Sequence, residues 1–275
     1  MLSCEDMKAL DPLPLVTTVL SFDFDGTLHV PDETPPVPRE FFDLIRHLRE
    51  DHAISWGVNT GRSLPLAAEG LLESGFPFLP DWLVAREREI YFPNAGGHWS
   101  PHSEWNRRCE KQLHALFKEA RPVLDAVRRM IGEYTGAQWI AMDGEPAGAI
   151  SRTEEEMDWI IEKMLPLVAE EPRLGWQRNS IYLRFGHREF QKGSCLSEVA
   201  RHYDLGAPRC FAIGDSHNDL EMLDPTHARM IACPGNAVDE VKQQVAHCGG
   251  YVAEAHHGAG VIEALRHFFH PAEPS

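Results

Sequence analysis

Two carboxylates separated by one residue stand at the end of an apolar run near the start of the chain. The run Val19-Leu20-Ser21-Phe22 has strand character, and Asp23, Phe24, Asp25 and Gly26 follow it. Residues two apart on a strand point to the same side, so both acids would lie at the strand's carboxyl end, where open α/β sheets bind ligands. Carboxylates this close repel unless one is protonated or a cation lies between them. A hard cation such as Mg²⁺, which often accompanies phosphate, fits that need. A surface hairpin turn is the alternative, since Asp-Gly is a common turn signal.

Three further polar sites occur where a predicted strand ends or a predicted helix begins. They are Thr60-Gly61-Arg62 after a strand at residues 54–59, Lys192-Gly193 at the start of a helix, and Gly214-Asp215-Ser216-His217-Asn218-Asp219 after a strand at residues 209–213. A hydroxyl at a strand end and a lysine at a helix N-terminus both suit an anion. Each site alone is equally well a turn or a solvated charge. Four in series, bearing Asp/Asp, Thr, Lys and Asp/Asp, indicate a site for a metal and a phosphate.

These motifs resemble those of the haloacid dehalogenase (HAD) superfamily of aspartate-nucleophile phosphotransferases. Asp23 to Thr27 match its first motif, Thr60-Gly61-Arg62 the second, Lys192-Gly193 the third, and Gly214 to Asp219 the fourth. Later stretches resemble the Cof-type and sucrose-phosphatase-like branch (subfamily IIB): Asn236-Ala237, Gly249-Gly250-Tyr251-Val252 and Gly258-Ala259-Gly260-Val261. The resemblance implies an α/β fold, in which a three-layer Rossmann-like HAD core with a parallel sheet carries an inserted α+β C2-type cap domain.

The resemblance also assigns expected roles, beginning with the acids. Asp23 would be the nucleophile and a Mg²⁺ ligand. Asp25 would be the general acid and base, with its backbone carbonyl on the metal. Asp215 would complete the metal site, and Asp219 would position Lys192 or a metal-bound water. The expected phosphate-binding residues are Thr60, Gly61, Lys192 and Asn218.

The pattern of apolar residues changes from about Gly97, after a predicted strand that leaves the core near residues 90–92. The predicted core is residues 1–92 and 186–275, and the predicted cap is residues 93–185. An amphipathic helix is predicted at 105–131, with a break or a kink at Arg121-Pro122, because proline disrupts a helix interior. Strands at 138–142 and 149–152 are predicted to pair across Asp143-Gly144, followed by a helix from Thr153 and two more strands.

Composition limits the classes of partner and cofactor. The 275-residue chain has a formal charge of −16, which argues against nucleic-acid binding. It lacks an apolar run long enough to span a membrane, and its beginning has no signal-peptide pattern. Six scattered cysteines favour reduced thiols over disulfides or zinc. We therefore expect a cytoplasmic enzyme, and the resemblance implies that it depends on Mg²⁺.

Substrate identity is predicted only as a class. The resemblance implies a hydrolase (a phosphatase) acting through an aspartyl-phosphate on a small phosphorylated metabolite, with a sugar phosphate as the leading class. Related phosphatases often have a glycine-containing stretch where this chain has residues 85–91. The substrate of any one related phosphatase therefore cannot be assigned directly to this chain. In the cap, Arg178 and Asn179 would contact substrate or have a structural cross-strand role. The alternatives are a phosphosugar mutase and a non-catalytic sugar-phosphate-binding regulator. The sequence does not choose between a cap that closes over the site and one that forms a homodimer.

Overall fold

The computed structural model describes residues 7–94, 96–142 and 145–269. In chain order its elements begin with β1 (Thr18–Phe22), α1 (Arg39–His52), β2 (Ile54–Asn59), α2 (Leu64–Glu73), β3 (Trp82–Ala85), β4 (Glu89–Pro93) and β5 (Trp99–Pro101). There follow α3 (Ser103–Glu119), α4 (Arg121–Tyr134), β6 (Gln138–Met142), β7 (Glu145–Ile150), α5 (Glu154–Val168), β8 (Leu174–Asn179) and β9 (Tyr182–His187). The last are α6 (Lys192–His202), β10 (Cys210–Ile213), β11 (Met230–Cys233), α7 (Asp239–His247), β12 (Tyr251–Val252) and α8 (His257–Phe269).

The first of two compact units contains a sheet in the order β12-β11-β10-β1-β2-β3-β4-β5. Strands from β12 to β3 pair in parallel, whereas β4 and β5 continue the sheet in antiparallel pairs. Every residue of β1, β2, β3 and β10 is buried. This is why the sequences of these strands are largely apolar and do not alternate between apolar and polar residues.

Helices cover both faces of this sheet. Phe22 of β1 and Trp56 of β2 share one apolar cluster with side chains of α1, α2 and α8. The ring of Phe22 packs edge-on against Phe41 of α1. Successive strand residues face opposite sides, so Ser21 faces the other layer, where α6 contacts β1. The predicted three-layer α/β core with a parallel sheet is therefore confirmed.

The second unit, residues 107–191, is inserted in the first and has its own core. Its antiparallel sheet has the order β6-β7-β9-β8. Val127 and Ile131 of α4 pack in one cluster with Met157 and Ile160 of α5 and Phe185 of β9. The predicted break at Arg121-Pro122 is confirmed, since α3 ends at Glu119 and α4 begins at Arg121. The predicted turn at Asp143-Gly144 lies outside the described residues.

The boundaries between the units differ from those we predicted. The chain divides at 106/107 and 191/192 rather than at 92/93 and 185/186. One reason is that β5 pairs with β4 and extends the sheet of the first unit. The indole N–H of Trp105 also donates to the carbonyl of Arg88 at 2.8 Å, which ties the start of α3 to that unit. No helix within the described ranges is both long and apolar enough to cross a membrane.

Candidate active site

Three adjacent parallel strands bring the predicted site residues to one edge of the sheet. Phe22 of β1 lies opposite Ile213 of β10 and Val58 of β2. Because the three strands run the same way, the residues that follow them, Asp23, Thr60 and Asp215, emerge at the same edge. The backbone N–H of Asp23 donates to the carbonyl of Ile213 at 3.0 Å, which joins two of these strand ends directly.

Lys192 joins this edge from the start of α6. Its Nζ lies 2.5 Å from Oδ1 of Asp23 and 2.7 Å from Oδ1 of Asp219. The lysine is completely buried, and Asp23 is 5% exposed. The Asn59 side chain donates to the backbone carbonyl of Lys192 at 3.0 Å, so the end of β2 holds the first turn of α6. The structure thus brings together residues of the first, third and fourth motifs, separated by up to 196 positions in the chain.

The electrostatics of this cluster are dominated by buried negative charge. Burial alone would lower the pKa of Lys192, but the carboxylates of Asp219, Asp23 and Glu87 outweigh it and raise that pKa. Burial and then the charge of Asp219 raise the pKa of Asp23 well above its ordinary value. The same two causes raise the pKa of Asp215 to about 6. One lysine does not balance these acids, so a further cation would stabilise their ionised forms.

A divalent cation fits the oxygen donors of this cluster. Asp23, Asp215 and Asp219 each offer a carboxylate oxygen, and the three oxygens lie within 4.8 Å of one another. Asp219 is already engaged, since Oδ1 accepts from Lys192 and Oδ2 accepts the N–H groups of Asp215 and Ser216, each at 3.0 Å. Asp23 and Asp215 are therefore the carboxylates best able to bind an ion directly. An all-oxygen donor set of this kind suits Mg²⁺.

The turn after Asp25 holds Asp215 in place. Gly26 has a φ of +83°, and a Cβ atom there would lie 2.7 Å from Oδ2 of Asp215. Thr27 donates from Oγ1 to Oδ1 of Asp215 at 2.7 Å. The carbonyl of Gly26 accepts from the Asn236 amide at 2.9 Å and lies 2.6 Å from Nδ1 of His257. Glycine is thus required both by the backbone conformation and by the close approach of the carboxylate.

Asp25 is turned toward Arg62. The guanidinium donates from Nε to Oδ2 at 2.9 Å and from Nη2 to Oδ1 at 2.5 Å, which makes a bidentate ion pair. Arg62 also lies 4.9 Å from the centroid of the Phe24 ring. The carboxylate of Asp25 is therefore not part of the three-acid cluster. The expectation that this residue contributes its backbone carbonyl to a metal, rather than its side chain, stays a prediction.

The remaining predicted phosphate-binding residues border the same strand ends. Thr60 is buried, and its Oγ1 accepts the backbone N–H of Arg62 at 3.2 Å across Gly61. Asn218 lies in a short 3₁₀ helix, His217–Asp219, and its Nδ2 donates to Oε1 of Glu87 at 2.7 Å. The structure therefore places Thr60 and Asn218 in the first unit with Lys192. Their contact with phosphate stays a prediction.

Several residues around the site were given no role from the sequence. Arg62 and Asn236 stood inside recognised motifs, but their partners, Asp25 and the Gly26 carbonyl, are visible only in the folded chain. Glu87 and His257 carried no sequence signal, since each acts through a contact with a residue distant in the chain.

Arg178 and Asn179, predicted as specificity residues, lie at the end of β8 in the second unit. Arg178 is buried, pairs with Asp158, and donates from Nε to the carbonyl of Ser180 at 2.9 Å. These contacts are those of a structural arginine within its own unit. Asn179 is exposed. The predicted role of either residue in substrate specificity is untested by this geometry.

Comparison with known proteins shows which proteins this chain and its fold are similar to. Residues 137–265 match the family model described as haloacid dehalogenase-like hydrolase. The fold is similar to that of the sucrose-phosphatase from Synechocystis sp. PCC6803, solved with sucrose and phosphate: the TM-score is 0.70 at 18% identity, over 92% of this chain and 98% of that one. A haloacid dehalogenase-like hydrolase protein from Bacillus subtilis gives a TM-score of 0.65 at 16% identity, over 95% of each chain.

A curated relative matches over a shorter stretch. A phosphoglycolate phosphatase from Methanoculleus marisnigri is 33% identical over 78 residues, which are 28% of this chain and 31% of that protein. The chain therefore matches less than a third of the length of this relative. At identities of 16% and 18%, the two solved structures establish the fold.

Proposed function

We propose that the chain is a Cof-type member of the haloacid dehalogenase superfamily and that it acts as a Mg²⁺-dependent phosphatase of a small phosphorylated metabolite. A sugar phosphate is the leading substrate class. The observation that carries the proposal is the contact of buried Lys192 with Asp23 and Asp219, beside the carboxylate of Asp215. This arrangement combines a candidate nucleophile, a fixed positive charge and a donor set for a divalent cation.

In the proposed reaction, a carboxylate oxygen of Asp23 attacks the phosphorus atom. The bond from phosphorus to the leaving oxygen breaks, and an aspartyl-phosphate forms on Asp23. Lys192 is held as a cation by its carboxylate partners, so it supplies positive charge to the phosphoryl oxygens without reorganisation. Thr60, Gly61 and Asn218 are the proposed hydrogen-bonding partners of those oxygens. Bound by Asp23 and Asp215, Mg²⁺ would neutralise charge on these carboxylates and on the phosphate.

Asp25 is the proposed proton donor to the leaving alcohol. Both of its oxygens accept from Arg62, so this step requires the carboxyl group to turn away from the guanidinium and take a proton. After the alcohol has left, the ionised Asp25 removes a proton from a water molecule. That water attacks the aspartyl-phosphate, releases inorganic phosphate and regenerates Asp23. The second unit is the proposed C2-type cap, and we propose that it selects the substrate.

The test is release of inorganic phosphate from a panel of sugar, polyol and nucleotide phosphates together with 2-phosphoglycolate. Each compound is assayed with Mg²⁺ and with a chelator, for the wild type and for Asp23→Asn. The proposal predicts metal-dependent release that the variant loses, and the best substrate identifies the class. Transfer of phosphate between positions of a sugar without net release would instead indicate a mutase. Near-normal activity of the variant would refute the assignment of Asp23.

A further inference from the structure

The turn between β3 and β4 has an unusual backbone. Arg86 and Glu87 have φ angles of +49° and +62°, a region that is sterically unfavourable for residues with a side chain. Two consecutive non-glycine residues in this conformation persist only where the surroundings compensate for the strain. The turn lies next to the candidate site, and the Glu87 side chain contacts Asn218, a residue of that site.

The backbone of this turn is bound to the loop that follows β2. The N–H of Arg86 donates to the carbonyl of Arg62 at 2.8 Å, and the N–H of Glu87 donates to the carbonyl of Thr60 at 2.9 Å. On the other side, the thiol of Cys195 in α6 lies 3.6 Å from the carbonyl oxygen of Glu87. These contacts hold the turn between the predicted second and third motifs.

The carboxylate of Glu87 faces the candidate phosphate-binding residues. Glu87 is 4% exposed, and its Oε1 accepts from Nδ2 of Asn218 at 2.7 Å. A buried carboxylate on a strained residue has two separate costs, which is typical of a functional constraint. Its charge also acts on Lys192, where it is the third carboxylate that raises the pKa of the amine.

Glu87 determines which way the Asn218 amide points. Oε1 of Glu87 accepts a hydrogen bond from the amide, so the group of Asn218 that faces it is the NH₂. The opposite orientation would place Oδ1 of Asn218 against Oε1 of Glu87, which is repulsive. In the present orientation Oδ1 is buried and has no hydrogen-bond partner among the described residues. An unpaired acceptor is unfavourable, so the contact with Glu87 must be strong enough to maintain this orientation.

We propose that Glu87 is a positioning residue for phosphoryl transfer, which fixes the Asn218 amide so that an N–H group rather than the oxygen meets the phosphoryl group. This inference rests on the proposed function. The proposed role belongs to the Glu87 side chain and not to that of Arg86, the preceding residue, which has a similar φ. The Arg86 side chain instead pairs with Glu89, with Nη1 and Oε1 3.2 Å apart.

A double-mutant cycle tests whether Glu87 acts through Asn218. Glu87→Gln keeps the size of the side chain but lets either face of the Asn218 amide point toward it, and we expect kcat/KM to fall about tenfold. In an Asn218→Ala background the same substitution should change kcat/KM by less than about twofold, because the group that it positions is gone. Arg86→Gly is the matched control, and it should relieve backbone strain in the same turn while leaving kcat/KM unchanged.

A spectroscopic measurement separates this inference from the proposed function. The side-chain ¹⁵N–H₂ signal of Asn218, identified by its loss in Asn218→Ala, should shift in Glu87→Gln and should respond less to added inorganic phosphate than in the wild type. This signal can be measured without turnover. If the wild type had no phosphatase activity, the proposed function would be refuted, but the effect of Glu87 on the orientation of the Asn218 amide could still be measured. Additive effects in the cycle, wild-type activity of Glu87→Gln, or an Asn218 signal that does not move would each overturn the inference. Thermal unfolding of every variant excludes loss of the fold as the cause.

Discussion

Replacing Gly26 by alanine should damage the candidate metal site more than the fold. The residue has a φ of +83°, and an alanine Cβ would lie 2.7 Å from Oδ2 of Asp215. The variant therefore combines two effects: backbone strain, which acts on stability, and a steric contact, which acts on Asp215.

The two effects have different expected sizes. The left-handed conformation costs an alanine about 1 kcal/mol relative to glycine. A carbon and an oxygen not bonded to each other are ordinarily about 3.4 Å apart, so the carboxylate or the turn must move by about 0.7 Å. Displacement of a catalytic group on this scale lowers kcat by roughly ten- to a hundredfold. The Mg²⁺ concentration that gives half-maximal activity should also increase.

Gly249→Ala is the matched control. Gly249 has a φ of +73°, and a Cβ built there meets no atom within 4 Å. Urea unfolding should show a similar loss of about 1 kcal/mol in both variants, because the backbone strain is similar. Only Gly26→Ala should lose phosphate release and Mg²⁺ response. Equal activity of the two variants would show that the close approach of Asp215 to Gly26 does not matter for the site.

Three further substitutions test the electrostatics of the first unit. Lys192→Met leaves Asp219 without its ion partner, so urea unfolding in chelator should show that the free energy of unfolding falls by about 3 kcal/mol. A variant as stable as the wild type would contradict the ion pair. Mg²⁺ at a hundred times its Kd should stabilise the wild type by about 2.7 kcal/mol, and Asp215→Asn should lose most of this stabilisation. If the variant is stabilised as much as the wild type, Asp215 does not bind the ion. Burial is the main cause that raises the pKa of Glu221 from 4.5 to about 7. The folded state thus prefers the protonated carboxyl and loses stability as the pH rises from about 4.5 to 7. Unfolding at a series of pH values should show that the stability of Glu221→Gln increases relative to the wild type by about 2 kcal/mol across that window. A difference independent of pH would refute the raised pKa of Glu221.

The core of the fold could be predicted because its central strands are buried on both faces. The strands that end at Phe22, Asn59 and Ile213 are largely apolar, and each is followed by a polar motif. Their parallel pairing explains why motifs distant in the chain meet at one edge. The helix break at Arg121-Pro122 could be predicted because proline lacks the backbone N–H that a helix interior needs.

The predicted boundary between the two units at 92/93 was wrong, because nothing in the composition of β5 distinguishes an edge strand from a loop. Its three residues, Trp99-Ser100-Pro101, join the sheet only through pairing with β4. Two contacts could not be predicted from the order of residues in the sequence: the ion pair of Asp25 with Arg62 and the hydrogen bond of Asn218 to Glu87. Both depend on turns whose backbone geometry brings together residues 37 and 131 positions apart.

Detection of the covalent intermediate tests the central claim most directly. Asp25→Asn retains the Asp23 nucleophile but lacks both the acid that protonates the leaving alcohol and the base that would activate water. An aspartyl-phosphate should therefore accumulate when this variant is mixed with 4-nitrophenyl phosphate, whose leaving group needs no proton, and quenched in acid. Peptide mass spectrometry should then find one phosphate on Asp23 and none in the Asp23→Asn variant. Phosphate on a different residue, or an active wild type whose Asp25→Asn variant is never phosphorylated at Asp23, would contradict the account.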